Sequence, residues 1–226
     1  MAKFEMHVHT AECDKAAHMG AAEIVQMYHQ EGYDGMIVTD HYFSLFQEWF
    51  ADEIGNADHQ KIIQRWLKGY YTARCEGEKL GFVVLPGAEV RFDGTINDYL
   101  IYGIDEEFFY HAPLLNRLSG LEELVSVLPP NACVVQAHPF RDGMTVQNPD
   151  ILFGIEVFNG GTEQYRNRMA RDFAKHYGKA MLSGSDFHGS TALGRGGIVT
   201  ERKITTSGEL ALVLKSGEYS LIENIK

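Results

Sequence analysis

Histidines and carboxylates in this chain fall into five short groups, and the first is the tightest: His7 and His9 stand one residue apart in Phe4-Glu5-Met6-His7-Val8-His9. Alternate residues of a β-strand point the same way and successive residues rise about 3.3 Å, so the two imidazoles project from one face roughly 6.6 Å apart. Phe4, Met6 and Val8 take the other face. Metal–nitrogen bonds are about 2.0–2.1 Å long, and rings so placed can close on one cation. The other groups follow in chain order: Asp40-His41, Glu89, His138, and Asp186 with His188. Such a series is a multinuclear metal site written in one dimension, although an isolated His-X-His also fits two hydrogen-bonded histidines of an ordinary strand.

Those groups need elements that bring them together. Residues 21–31 read as a helix with Ile24, Met27 and Tyr28 on one stripe, stopped by Gly32. A buried strand is expected at 35–39, a long helical stretch at 58–80, and a strand at 82–85 running into Pro86-Gly87-Ala88-Glu89. Asp93-Gly94 marks a turn, with 99–102 as the returning strand. Ser119 and Glu122 have capping-box spacing and open a helix that ends near Leu128-Pro129-Pro130. Further strands at 133–137, 155–158 and 180–185 follow, the last two separated by a helix at 162–177. Repeated βα units predict an α/β fold with a largely parallel sheet, open or closed into a barrel. Nearly all the polar groups lie where a strand ends, and in a parallel barrel those ends share one rim.

Composition sets the outer bounds. The 226 residues, 45% hydrophobic and 23% charged, suit one compact domain with a sizeable core and hold no apolar run near a membrane-spanning length. With no leader pattern at the N-terminus, a cytoplasmic location is expected and membrane partners are not. Cys13, Cys75 and Cys133 lack any CxxC spacing, which argues for reduced thiols. A net charge of −11 disfavours an extended nucleic-acid partner, although carboxylates packed around cations would carry part of that charge.

The ordered set His7-Val8-His9, Thr39-Asp40-His41, Gly87-Ala88-Glu89, Ala137-His138-Pro139 and Ser185-Asp186-Phe187-His188 resembles the PHP (polymerase and histidinol phosphatase) family of metal-dependent phosphoesterases. The resemblance runs to about residue 190. It implies a distorted (β/α)7 TIM-like barrel, taken as a single domain over 1–226, with two or three divalent ions of Zn, Mn or Fe at the rim. On that resemblance one ion is held by His7, His9, Glu89 and Asp186, and Glu89 bridges to a second bound by His138. A third lies between Asp14, His41 and His188, with His18 as the local competitor of Asp14. The second ion normally has another histidine, where this chain has Asp98. That departure implies either a harder ligand set that favours Mn or a weak or missing second ion.

The implied chemistry is hydrolysis of a small-molecule phosphomonoester by a hydroxide held between ions. Asp40 has two readings: it orients an imidazole, or it is the catalytic acid that protonates the leaving alkoxide. Arg141 and Arg195 are the candidates to bind the phosphate, with Arg91 a third. Tyr42, Phe43, Phe140 and Phe187 are candidate pocket walls, residues 42–56 a candidate lid, and Asn159 a pocket residue of no assigned role. His29, His59, His111 and His176 stand apart from the clusters and read as surface or packing. Two alternatives remain: an amidohydrolase-type enzyme, although no lysine ends a strand as those enzymes usually require, and a non-catalytic metal-binding or regulatory module.

Overall fold

Residues 1–225 are described by a computed structural model. Its strands are β1 (Ala2–Val8), β2 (Gly35–Val38), β3 (His41–Tyr42), β4 (Val83–Pro86), β5 (Ala88–Arg91), β6 (Asp98–Tyr102), β7 (Cys133–Gln136), β8 (Gly154–Asn159), β9 (Ala180–Gly184), β10 (Gly196–Thr200) and β11 (Ser220–Glu223). They form two sheets, ordered β11-β10-β1-β2-β4 and β3-β5-β6-β7-β8-β9. The expected parallel core is present in β1–β2–β4 and in β7–β8–β9. It is interrupted where β6 runs antiparallel to both β5 and β7, and where β10 runs antiparallel to β1 and β11. Asp93-Gly94 is the cause of the first reversal: the turn returns the chain beside β5 instead of sending it through a crossover helix, and Gly94 takes a φ of 77° there.

The mixed α/β fold expected of a distorted TIM-like barrel is thus present as two sheets that meet edge to edge, without a closed hydrogen-bonded ring among the described residues. Among the described residues the backbone bridge between them at the β1 side is Val8 to Phe187, and side-chain bonds from Ser185 to Glu5 add to it. Glycine makes the approach possible, since a Cβ on Gly184 would stand 2.4 Å from the Cβ of His7. The expected face of β1 is also divided. Phe4 and Met6 pack with Ile37, Leu85, Leu100, Val135 and Leu182, while a register shift between Glu5 and Val8 sends Val8 into the cluster with Ile24, Tyr28, Met36 and Phe187.

The helix over Ala21–Gln30 buries Ile24, Val25 and Tyr28, with Gly32 left-handed beyond its end. The helical stretch expected over 58–80 is two helices, His59–Trp66 and Lys68–Leu80, that meet at Leu67. The capping box expected of Ser119 and Glu122 does not form. Gly120 occupies the cap position, and Ser119 donates its N–H and hydroxyl to Glu123 instead. Residues 42–56, the candidate lid, hold the short helices Ser44–Trp49 and Ala51–Ile54, pinned by buried Phe46 and Ile54 and by the Arg65–Glu53 pair. Beyond the motifs, β10, the helix Ser207–Ser216 and β11 complete the first sheet, with a true capping box between Thr206 and Glu209. Among the described residues no helix is long and apolar enough to cross a membrane.

Candidate metal centre

The strand ends converge. His7 at the end of β1, Glu89 in β5, His138 after β7, Asp186 after β9 and His9 just past β1 bring their polar atoms together in a buried cluster, each between 0% and 7% exposed. His7 Nε2 lies 3.3 Å from Glu89 Oε1 and 3.5 Å from Asp186 Oδ1, and His9 Nε2 lies 3.3 Å from both Glu89 Oε2 and Asp186 Oδ1. Beside them Asp14 Oδ2 is 3.4 Å from both His41 Nε2 and His188 Nε2. His9 joins the two sets, its ring centroid 4.2 Å from those of His41 and His188 and its Nδ1 4.0 Å from Asp14.

These spacings can be tested against a bound cation. Two donors on bonds of about 2.0–2.1 Å at the corners of a tetrahedron stand roughly 3.3–3.4 Å apart, which is the separation found here. Among the described residues the buried side-chain atoms without a hydrogen-bond partner are His7 Nε2, both ring nitrogens of His9, Asp14 Oδ2, Glu89 Oε2 and Arg195 Nε. Five of the six belong to this cluster. Buried polar atoms left unpaired cost free energy unless something binds them, and imidazole nitrogens facing carboxylate oxygens are a donor set for Zn, Mn or Fe.

Electrostatics point the same way. Burial opposes charge on His7, yet Glu156, Glu89 and Asp186 together hold its imidazole well above the usual range. Burial likewise disfavours the anion of Glu89, but His7 and His41 keep that carboxyl well below its usual range, and His7, His188 and His9 do the same for Asp186. Asp14 is lowered to about 2 against its burial, chiefly by His188, and His188 is raised to about 10 by Asp14 and Asp186. The surrounding carboxylates favour protons on the His7 and His188 imidazoles, and a divalent cation would compete for the same nitrogens.

Two charged groups that the sequence left without a role support the cluster from behind. Glu156, in the middle of β8, takes the His7 Nδ1 proton at 2.8 Å and accepts from His138 N and Asn159 Nδ2 at 2.9 Å each. It thereby fixes the tautomer in which His7 Nε2 presents its lone pair to the cluster. Glu5, fully buried, accepts from Ser185 N and Oγ, from the Tyr28 hydroxyl and from the His7 amide, and burial raises its pKa. The available signal was a glutamate inside an otherwise apolar strand, in Phe4-Glu5-Met6 and Ile155-Glu156-Val157. His138 and Asp186 hold positive φ of 27° and 51°, a backbone cost of about 1–3 kcal/mol each that persists where surrounding structure over-determines it.

The remaining candidates divide. Asp14 is buried in the cluster while His18 is exposed. Arg141 Nη2 donates to Asp186 Oδ2 at 2.5 Å, and Asn159 joins the same oxygen at 3.2 Å. Arg195 is turned to the Gly160 carbonyl and lines a separate cavity of about 140 Å³ with Gln164, Asn167 and Asn224. Asp40 is buried, its two oxygens taken by the Thr10 amide at 2.6 Å and hydroxyl at 2.9 Å, and burial pushes it up to about 7. Its carboxyl thus tethers the loop that carries Asp14, with Thr10 and not an imidazole as its partner. Asp98 is gripped by Arg91, both bonds 2.6 Å, and stands 3.9 Å from His138 Nε2. Of the expected pocket walls, Phe43 stands beside His41, ring centroids 4.9 Å apart. Phe187 instead packs on Tyr28, and Tyr42 on Trp66. His29, His59, His111 and His176 lie outside the clusters.

A fold of packed βα units with histidine and carboxylate clusters at its strand ends defines a class, and comparison with known proteins shows what it is similar to. The PHP-associated family model matches residues 164–219. A two-domain protein from Bacteroides vulgatus containing a predicted PHP-like metal-dependent phosphoesterase superposes with a TM-score of 0.69 at 15% identity over 99% of this chain. The chain spans 65% of that protein's length. PsfC from Pseudomonas syringae gives 0.64 at 15% identity, over 99% of this chain and 93% of that one. An amidohydrolase from Chromobacterium violaceum with bound sulfate and no metal gives 0.53 at 16% identity, over 83% and 88%. No curated protein matches the chain by sequence. The chain thus shares its fold with these proteins, and its residues 164–219 match the PHP-associated family model.

Proposed function

We propose that residues 1–226 form one catalytic unit that hydrolyses small-molecule phosphomonoesters with divalent ions of Zn, Mn or Fe held by His7, His9, Asp14, His41, Glu89, His138, Asp186 and His188. The observation that carries this reading is the set of buried, unpartnered nitrogens and oxygens of His7, His9, Asp14 and Glu89 at ligand spacing. Ions bound there supply a nucleophile at neutral pH and positive charge against the phosphoryl oxygens. The protein's own groups do the rest. Glu156 and Glu5 hold His7 and the β1 and β9 backbones in place, and Asp40 holds the Asp14 loop. Arg141, 38% exposed at its side chain and steered by Asp186, offers its remaining N–H groups to a phosphoryl oxygen. The sulfate bound by the Chromobacterium violaceum neighbour is a tetrahedral anion of the same shape and charge as a phosphate, which favours this substrate class.

That neighbour is also named an amidohydrolase, so amide hydrolysis is the second reading. Phosphate release by the metal-loaded protein over a panel of phosphomonoesters and phosphotyrosine peptides separates the two, with His188→Ala alongside. Turnover on phosphate esters that His188→Ala reduces by at least 100-fold is expected. Turnover confined to amides moves the assignment to the second reading, and none on either panel moves it to a binding role.

A further inference from the structure

Of the four groups of side chains at ligand spacing among the described residues, Glu89, Asp98 and His138 differ from the rest in that Arg91 already holds the Asp98 carboxylate. Arg91 and Asp98 face each other across the β5–β6 ladder, and the guanidinium grips the carboxylate with Nε on one oxygen and Nη2 on the other, both at 2.6 Å. Asp98 is 1% exposed at its side chain, and the Phe43 ring lies 5.6 Å from the Arg91 guanidinium carbon. His138 Nε2 lies 2.9 Å from Glu89 Oε1 and is shared with the group it forms with His7 and Asp186, so Asp98 is the member of this set that a cation in the protein already holds. The unpartnered buried atoms of the cluster belong to His7, His9, Asp14 and Glu89, and none to Asp98 or His138.

We propose that Arg91 takes the place of a third cation: the chain binds two divalent ions, and its guanidinium supplies the positive charge at the Asp98 position. The physical basis is exclusion as well as occupancy. Arginine cannot give up its proton to make way for a metal, its bidentate fork takes one lone pair on each carboxylate oxygen, and a dication placed beside it would meet like charge. The substitution of aspartate where a histidine ligand was expected then has a reason. A carboxylate is the group that can anchor an arginine on the facing strand, and an imidazole is not.

This inference rests on the metal-dependent reading, and metal counting tests each separately. Protein loaded with Zn or Mn and desalted is assayed by elemental analysis for ions per chain, with circular dichroism to confirm folding. The wild type is expected to hold two ions and Asp98→Asn also two, because Asp98 binds arginine and not metal. Arg91→Leu frees a buried carboxylate beside Glu89 and His138, and its content is expected to rise to three. Three ions in the wild type falling to two in Asp98→Asn would overturn the inference while leaving the hydrolase reading intact, as would an unchanged two in folded Arg91→Leu. A wild type that holds no ions sinks both. Where Arg91→Leu does not fold, the wild-type and Asp98→Asn counts decide.

Discussion

At the scale of single residues, the centre depends on groups that never touch a substrate. Glu156 spends one oxygen on His7 Nδ1 and the other on the His138 amide and Asn159, so one carboxylate orients a ligand, a strained backbone turn and a pocket amide. Glutamine can accept one of those bonds but sets an NH2 group against the His7 or His138 donor. Partners of this kind typically cost 10–100-fold in metal affinity when removed. Glu156→Gln is therefore expected to weaken binding of the ion nearest His7 by roughly 10–100-fold, read by competition with a chromophoric chelator, with the fold retained by circular dichroism. Unchanged affinity would mean that His7 is fixed by strand geometry alone.

At the scale of elements, the site is built by the close approach of β1 and β9, and that approach has no slack. A methyl group on Gly184 would stand 2.4 Å from His7 Cβ and 2.8 Å from Glu156 Oε1, atoms that are both buried. Gly184→Ala should lower stability by about 1–3 kcal/mol through overpacking and displace His7, so the midpoint of denaturant unfolding and the metal content are expected to fall together. A stable variant with full metal content would show that the sheets can part without harm to the centre. The same junction marks how far the sequence could be read. Histidines at strand ends were legible because ligand types recur at fixed places in a two-residue period, and Gly32 and Asp93-Gly94 were legible because turns demand particular residues. The antiparallel return of β6 was not, since a short hairpin and a crossover leave the same apolar strand signature. Nor were β10 and β11, whose pairing partners lie far away in sequence. Glu5 and Glu156 were hidden because only their distant partners give a buried carboxylate its meaning, and the Arg91–Asp98 pair because it depends on cross-strand register.

At the scale of the whole molecule, part of the charge of −11 is concentrated in one buried pocket, so stability and metal binding are tied through protons. His188 is raised to about 10 beside Asp14, which is lowered to about 2. For the protein stripped of metal by a chelator, the raised histidine contributes stability that is fully present below its unfolded pKa, about 6.5, and is lost as pH climbs through about 10. The lowered aspartate contributes above about 3.9, its unfolded value, and is lost as pH falls toward 2. The stripped protein should thus lose the stability of this pair from near neutrality to pH 10. If an ion binds as proposed, it would take the His188 nitrogen in place of the proton, and rising pH would remove that proton's competition. The gap in Tm between loaded and chelated protein is therefore expected to widen from pH 6.5 to pH 9, and scanning calorimetry at several pH values in that range measures it. His188→Ala should keep a smaller gap that changes little with pH. A gap that stays constant in the wild type would mean that no ion displaces the His188 proton, leaving the ions to His7, His9, Glu89 and Asp186 alone.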